Sequence, residues 1–109
     1  MVLGALMSIT AIVSGGQTGA DLAGLKAAKQ LGLKTGGYAP LGWLTEKGPA
    51  PWLAEYGLVE CDSADYSVRT ELNVLMSTAT VIFGRQSSGS NLTEALCKEH
   101  GKPHLWLMD

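Results

Sequence analysis

The chain has 109 residues, a formal net charge of −2 and 46% hydrophobic residues. That is one domain, 1–109, with material for a core. The lack of a basic block excludes a phosphate-driven grip on extended nucleic acid. No apolar run reaches the roughly 18 residues of a membrane span.

The N-terminal stretch MVLGALMSITAIVSGG has no basic start. Its apolar part runs straight into a glycine turn, so it reads as a buried first strand rather than a secretory leader. The expected location is cytoplasmic, with Cys61 and Cys97 as buried free thiols. Ile9–Ser14 is the predicted strand. SGGQTGAD follows it, and a helix is predicted from Gly19 to Leu31. In that helix Leu22, Leu25 and Leu31 face inward, while Lys26 and Lys29 fall off that face. Thr18 reads as its N-cap with Asp21 three residues on, and Gly32 as its stop.

Residues 36 to 60 hold three of the four prolines and five of the fourteen glycines. They read as ordered loop, with short strands at Leu33–Gly37 and Gly57–Glu60. Tyr38, Trp43, Trp52 and Tyr56 anchor it, or could instead stack on a base. A loop this long in a small domain is usually functional. From Asp65 to Ala79, the apolar residues Val68, Leu72, Leu75, Met76 and Ala79 predict a packed helix. Thr80–Gly84 reads as a strand. Asn91–His100 reads as a helix, with Leu92, Ala95 and Leu96 inward, and Asn91 and Glu94 at capping-box spacing. Gly101 and Pro103 end it, and His104–Met108 reads as a last strand. Strands alternating with helices predict a parallel α/β sheet. Right-handed crossovers put SGGQTG and SSGSN at the same, C-terminal edge.

A strand–glycine–helix corner offers unpaired amides and the positive end of a helix dipole, both suited to an anion. Candidate donors are the amides of Gly15, Gly16 and Gln17 with the hydroxyls of Ser14 and Thr18. The second turn offers the amides of Gly89, Ser90 and Asn91 with the hydroxyls of Ser87, Ser88 and Ser90. Such a turn can equally serve packing alone. Asp21 opposes an anion at close range, and could instead bind a ribose or base, or hold the loop. The stretch is neither a Walker loop nor GxGxxG. Tyr66, Arg69 and Asn73 lie beside the apolar stripe of their helix. Arg69 there serves either an anion pocket or an ion pair with Glu71 or Asp65. Glu94 is the one local general acid or base, or else a helix cap. His100 and His104 have no carboxylate or cysteine at metal spacing, so no metal is expected. No serine has a visible triad. The residues thus favour a non-catalytic binding protein over an enzyme.

IVSGGQTGAD, GGYAP, DYSVRTELNV, TVIFG, SGSNLT and HGKP occur in this order. The set resembles the molybdenum carrier protein family, part of a Rossmann-like superfamily related to lysine-decarboxylase-like phosphoribohydrolases. The resemblance covers residues 9 to 108. It implies a doubly wound, mainly parallel α/β sheet with helices on both faces. It also implies self-association as a homo-oligomer (dimer or tetramer), and a small anionic ligand: molybdate, another oxyanion or a nucleotide. By motif it points to Gly15, Gly16, Gln17, Thr18, Gly19 and Asp21, then to Arg69, Thr70 and Asn73, then to Gly89, Ser90 and Thr93. The alternative it implies is nucleotide hydrolysis through Glu94. Relatives are basic after GGYAP and have Gly-Gly-Thr in the second turn. This chain has LGWLTEKGP, with Lys47 where an acid is expected, and Gly89–Ser90–Asn91. Relatives continue past the last strand. A chain stopping at Asp109 leads to the expectation that a second subunit covers apolar surface.

Overall fold

The computed structural model describes residues 9–107. The N-terminal stretch before Ile9 and the Met108 end of the expected last strand lie outside them. β1 (Ala11–Val13), α1 (Ala20–Gln30) and β2 (Lys34–Ala39) form the first unit. β3 (Leu44–Thr45) and β4 (Gly48–Pro49) make a small antiparallel hairpin. A 3₁₀ turn at Pro51–Tyr56 then leads to β5 (Leu58–Glu60). The chain continues as α2 (Tyr66–Met76), β6 (Thr80–Phe83), α3 (Ser88–Glu99) and β7 (His104–Leu107).

The fold is the doubly wound α/β arrangement. β1, β2 and β5 form a parallel sheet in that order, with Ala11 opposite Lys34 and Gly37 opposite Leu58. β6 and β7 form a second parallel ladder, from Thr80 opposite His104 to Phe83 opposite Leu107. Two apolar clusters match these ladders. Leu25, Ala39, Ala50, Leu53 and Leu58 close the first, with Leu22, Trp43 and Tyr56 against them. Val74, Leu96 and Cys97 form the second, with Leu92.

Hydrogen bonding decides several local differences from the sequence reading. α1 begins on Gly19 without a side-chain cap, because Thr18 Oγ1 donates instead to Glu46 Oε2 at 3.2 Å. Leu31 is 76% exposed just past that helix. α3 starts at Ser88 rather than Asn91. Its capping box is Ser87–Ser90, in which a serine hydroxyl does what the reading gave to Glu94. Ala95 is exposed and Cys97 takes the buried position.

The largest difference is the face of α2. Its buried residues are Thr70 and Val74, whereas Val68, Leu75 and Met76 stay exposed. Asn73 explains the rotation. Its Oδ1 accepts from the Tyr38 amide at 2.7 Å and its Nδ2 donates to the Tyr38 carbonyl at 3.1 Å. This two-point bond to β2 turns the polar flank of the helix inward, since buried backbone groups must be paired.

Candidate functional site

The corner after β1 is built around two glycines with different tasks. Gly16 has φ +74°, and a Cβ there would stand 2.7 Å from Leu53 Cδ1 and 2.9 Å from Leu58 Cδ2. It lets the backbone lie on the core. A Cβ on Gly15 would run into the Arg69 guanidinium, 2.9 Å from Cζ. A side chain on α2 therefore reaches the first glycine turn because Gly15 leaves room.

The turn is closed internally. Ser14, buried, donates from Oγ to the Asp21 carbonyl at 3.0 Å and accepts from the Gly16 amide at 3.1 Å. The Asp21 carboxylate accepts from the Gln17 amide at 3.3 Å. Two of the three amides expected for an anion are thus held by the chain itself. Burial pushes the Asp21 carboxyl above its ordinary range, opposed by the charge of Arg69 and the bond from Gln17. Burial likewise lowers Arg69, opposed by Asp21, Tyr66 and Cys61.

Among the described residues, Arg69 forms no ion pair within 4.0 Å, and its buried Nε has no hydrogen-bond partner. The ion pairs open in the sequence reading do not form. Glu71 Oε2 bonds to His100 Nε2 at 2.9 Å. Asp65 caps α2 by accepting from the Ser67 amide and hydroxyl, which holds its carboxyl below the ordinary range. The Arg69 guanidinium rests over the Tyr66 ring at 5.3 Å. Thr70 is buried, with its hydroxyl bonded back to the Tyr66 carbonyl at 2.7 Å, and Asn73 is committed to Tyr38.

The hairpin completes the site, which the sequence reading left as loop. Gln17 Nε2 donates to the Leu44 carbonyl at 3.1 Å, and Thr18 bonds to Glu46. Between hairpin and α1 lies a cleft of about 340 Å³, bordered by Gly16, Thr18 and Gly19 of the turn. No residue of 85–93 borders it. The second turn is solvent-facing, and its hydroxyls serve α3: Ser90 bonds to Ser87, and Thr93 to the Gly89 carbonyl at 3.0 Å. Ser88, Gly89 and Asn91 are exposed. The end of β6 does approach α1. Phe83 with Ala20, Ala23 and Gly24 borders a second, apolar cleft of about 360 Å³.

Glu94 pairs with His104 at 3.3 Å and Lys98 at 3.6 Å. His100 is not isolated. Packing of α2 on α3 gathers Glu71, Glu99 and His100 with ligand atoms within 4.8 Å of one another, which corrects the expectation that no carboxylate accompanies it. The signal was tertiary, since Glu71 is far from His100 in sequence. No helix among the described residues is long and apolar enough to cross a membrane.

Comparison with known proteins adds a frame. The pattern of the Circularly permutated YpsA SLOG family matches residues 12–108. The chain is 44% identical to a solved structure from Syntrophus aciditrophicus SB named "Putative molybdenum carrier protein", at a TM-score of 0.86. The match covers 92% of this chain and 63% of that one, so this chain spans less than two thirds of its solved relative. No protein among those of curated function matches.

Proposed function

The chain belongs to the Circularly permutated YpsA SLOG family, and from that premise we propose that it is a non-catalytic binding or carrier protein. Its ligand is a small oxyanion, molybdate-like or phosphate-bearing, held at the SGGQTG corner. The supporting observation is Arg69: a half-buried guanidinium beside Gly15 that, among the described residues, has no ion-pair partner and leaves its Nε without a hydrogen bond. Leaving a buried donor unpaired is costly, and an oxyanion would satisfy it bidentately. Asp21 stands in for the anion in the free protein by holding the Gln17 amide. A name such as that of the Syntrophus relative agrees with cargo of this charge and shape. The hydrolase alternative has less support, because Glu94 is engaged by Lys98 and the His104 ring and borders neither cleft.

The test is calorimetry of the chain with molybdate, tungstate and phosphate, beside Arg69→Gln. Heat of binding that drops at least tenfold in affinity in the variant supports the reading. Absence of heat for every oxyanion, or an indifferent variant, overturns it.

We propose further that the chain self-associates and works in the cytoplasm. Val68, Leu75 and Met76 on α2, and Val81, Phe83, Leu105 and Leu107 on the β6–β7 ladder, are exposed. A parallel sheet is normally covered on both faces, and such patches mark interfaces. A second copy is the occupant this reading assigns. Reduced thiols at Cys61 and Cys97 agree with a reducing compartment.

A further inference from the structure

We propose that Glu71, Glu99 and His100 bind a zinc-like, first-row divalent cation where α2 packs on α3. None of the three borders either cleft, so this is a second site, separate from the glycine corner. Three observations carry it.

The first is the donor set and its spacing. The ligand atoms of the three side chains lie within 4.8 Å of one another, and His100 Nε2 stands 2.9 Å from Glu71 Oε2. Ligands held 2.0–2.2 Å from one ion are themselves about 3 Å apart. Glu71 and His100 thus already have the separation of neighbours in a coordination shell. Glu99 closes the triangle by rotating about its own side-chain bonds. One imidazole with two carboxylates suits Zn²⁺ and its first-row neighbours. Mg²⁺ and Ca²⁺ favour shells made of oxygen alone, and Cu(I) favours sulfur. Three protein ligands leave a further position for water.

The second is charge. A proton on the His100 ring would answer one carboxylate and leave the other uncompensated. The lysines on either side in sequence are engaged elsewhere. Lys98 pairs with Glu94 at 3.6 Å, and Lys102 Nζ donates to the Ser77 carbonyl at 3.0 Å. Among the described residues Glu99 forms no ion pair, and Glu71 pairs only with His100. A divalent cation balances both carboxylates while the ring stays neutral. The site also lies at the C-terminal end of α3, where the helix dipole favours positive charge.

The third is support. Glu71 sits on α2, which Asn73 ties to β2 two residues further on. The last turn of α3 is closed by the His100 amide donating to the Leu96 carbonyl at 3.0 Å and the Lys102 amide to the Cys97 carbonyl at 2.8 Å. Gly101, at φ +64°, makes that closure possible. Val74 of α2 packs with Leu96 and Cys97 of α3. The two helices therefore hold the ligands in place before an ion arrives. Glu71 and His100 are half-buried and Glu99 is exposed, which gives the ion a way in. A bound ion clamps α2 to α3, and its binding energy adds to the stability of the fold.

The experiment is calorimetry of the tag-free chain with Zn²⁺, Mg²⁺ and Ca²⁺, on wild type, His100→Ala, Glu99→Gln and His104→Gln, each checked for folding by circular dichroism. Glu99 is exposed, so Glu99→Gln keeps the test open should His100→Ala not fold. The expected result is one Zn²⁺ per wild-type chain, with neither Mg²⁺ nor Ca²⁺ displacing it. His100→Ala and Glu99→Gln each weaken Zn²⁺ by about tenfold or more, while His104→Gln binds as wild type does. Saturating Zn²⁺ raises the wild-type melting midpoint by about 5 °C or more, and EDTA reverses the rise. The ¹⁵N resonance of His100 Nε2 shifts as Zn²⁺ is added, which a residue that merely supports the helix end would not show. Absence of Zn²⁺ heat, equal competition by Mg²⁺, or undiminished affinity in Glu99→Gln overturns the proposal. A loss in His104→Gln as large as that in His100→Ala also overturns it, by placing the ion at the Glu94–His104 pair.

Discussion

Gly15 has no positive φ, so its lack of a side chain is a matter of space alone. Gly15→Ala must push the Arg69 guanidinium aside. The expected cost is about 1–3 kcal/mol by thermal or denaturant melting, with loss of molybdate binding. An unchanged midpoint would mean that Arg69 does not rest there. Asp21 makes a second prediction, one of sign. Its carboxyl is raised by burial in the folded chain, so the native state holds its proton more tightly than the unfolded state does. The associated stability is fully present below the unfolded value near 3.8 and is lost as pH rises through the higher folded value. Asp21→Asn keeps an oxygen to accept from Gln17 and removes that loss. Its stability relative to wild type should therefore increase with pH over this window and then level off. A bound oxyanion raises the carboxyl further, so wild-type affinity should strengthen as pH falls. The variant should bind about tenfold tighter near neutrality, with a flat pH profile. Equal pH slopes for the two proteins would refute this role.

At the scale of elements, what the sequence could tell depended on where each bond partner sits. α1 and β6 were legible because their period and their glycine stops are local. The start of α3 was misplaced because two capping spacings overlap, and Ser87–Ser90 uses a hydroxyl where an acid is the familiar partner. Ser87→Ala should cost about 1 kcal/mol, read from the melting midpoint, while Asn91→Ala should cost far less; the reverse order would restore the sequence reading of that cap. The hairpin was hidden because Leu44–Thr45 and Gly48–Pro49 are two residues each, too short for alternation to register. The inward face of α2 could not be read from apolar spacing, since Asn73 wins it through a backbone pair on β2, 35 residues away in sequence. The same holds for the site: the glycines, Arg69 and Asp21 stood out in the sequence and Trp52 was open as a loop anchor or a stacking ring, whereas Lys26 and Lys47 meet at one cleft only once the hairpin folds beside α1.

Across the whole molecule, alternation of strand and helix was enough to predict a parallel α/β sheet and the family resemblance implied its double winding, while the separation into two ladders depends on pairing that no local pattern encodes. The apolar stripe read along α2 is real and lies at the surface. Self-association through it predicts that Leu75→Glu shifts the chain to monomer in sedimentation at micromolar concentration, without unfolding; an unchanged mass would place the contact elsewhere. The two cysteines have a consequence of their own. Cys61 follows β5 beside the first cluster, and Cys97 lies inside the second, at 5% and 0% exposure. Each thiol is thus a built-in timer for one half of the protein, reacting with an alkylating reagent only when that half opens. Mass spectrometry of partly alkylated peptides would then report whether saturating oxyanion slows modification at Cys61 alone, as expected for cargo gripped by the glycine corner, or at both sites together, as a single cooperative body would require.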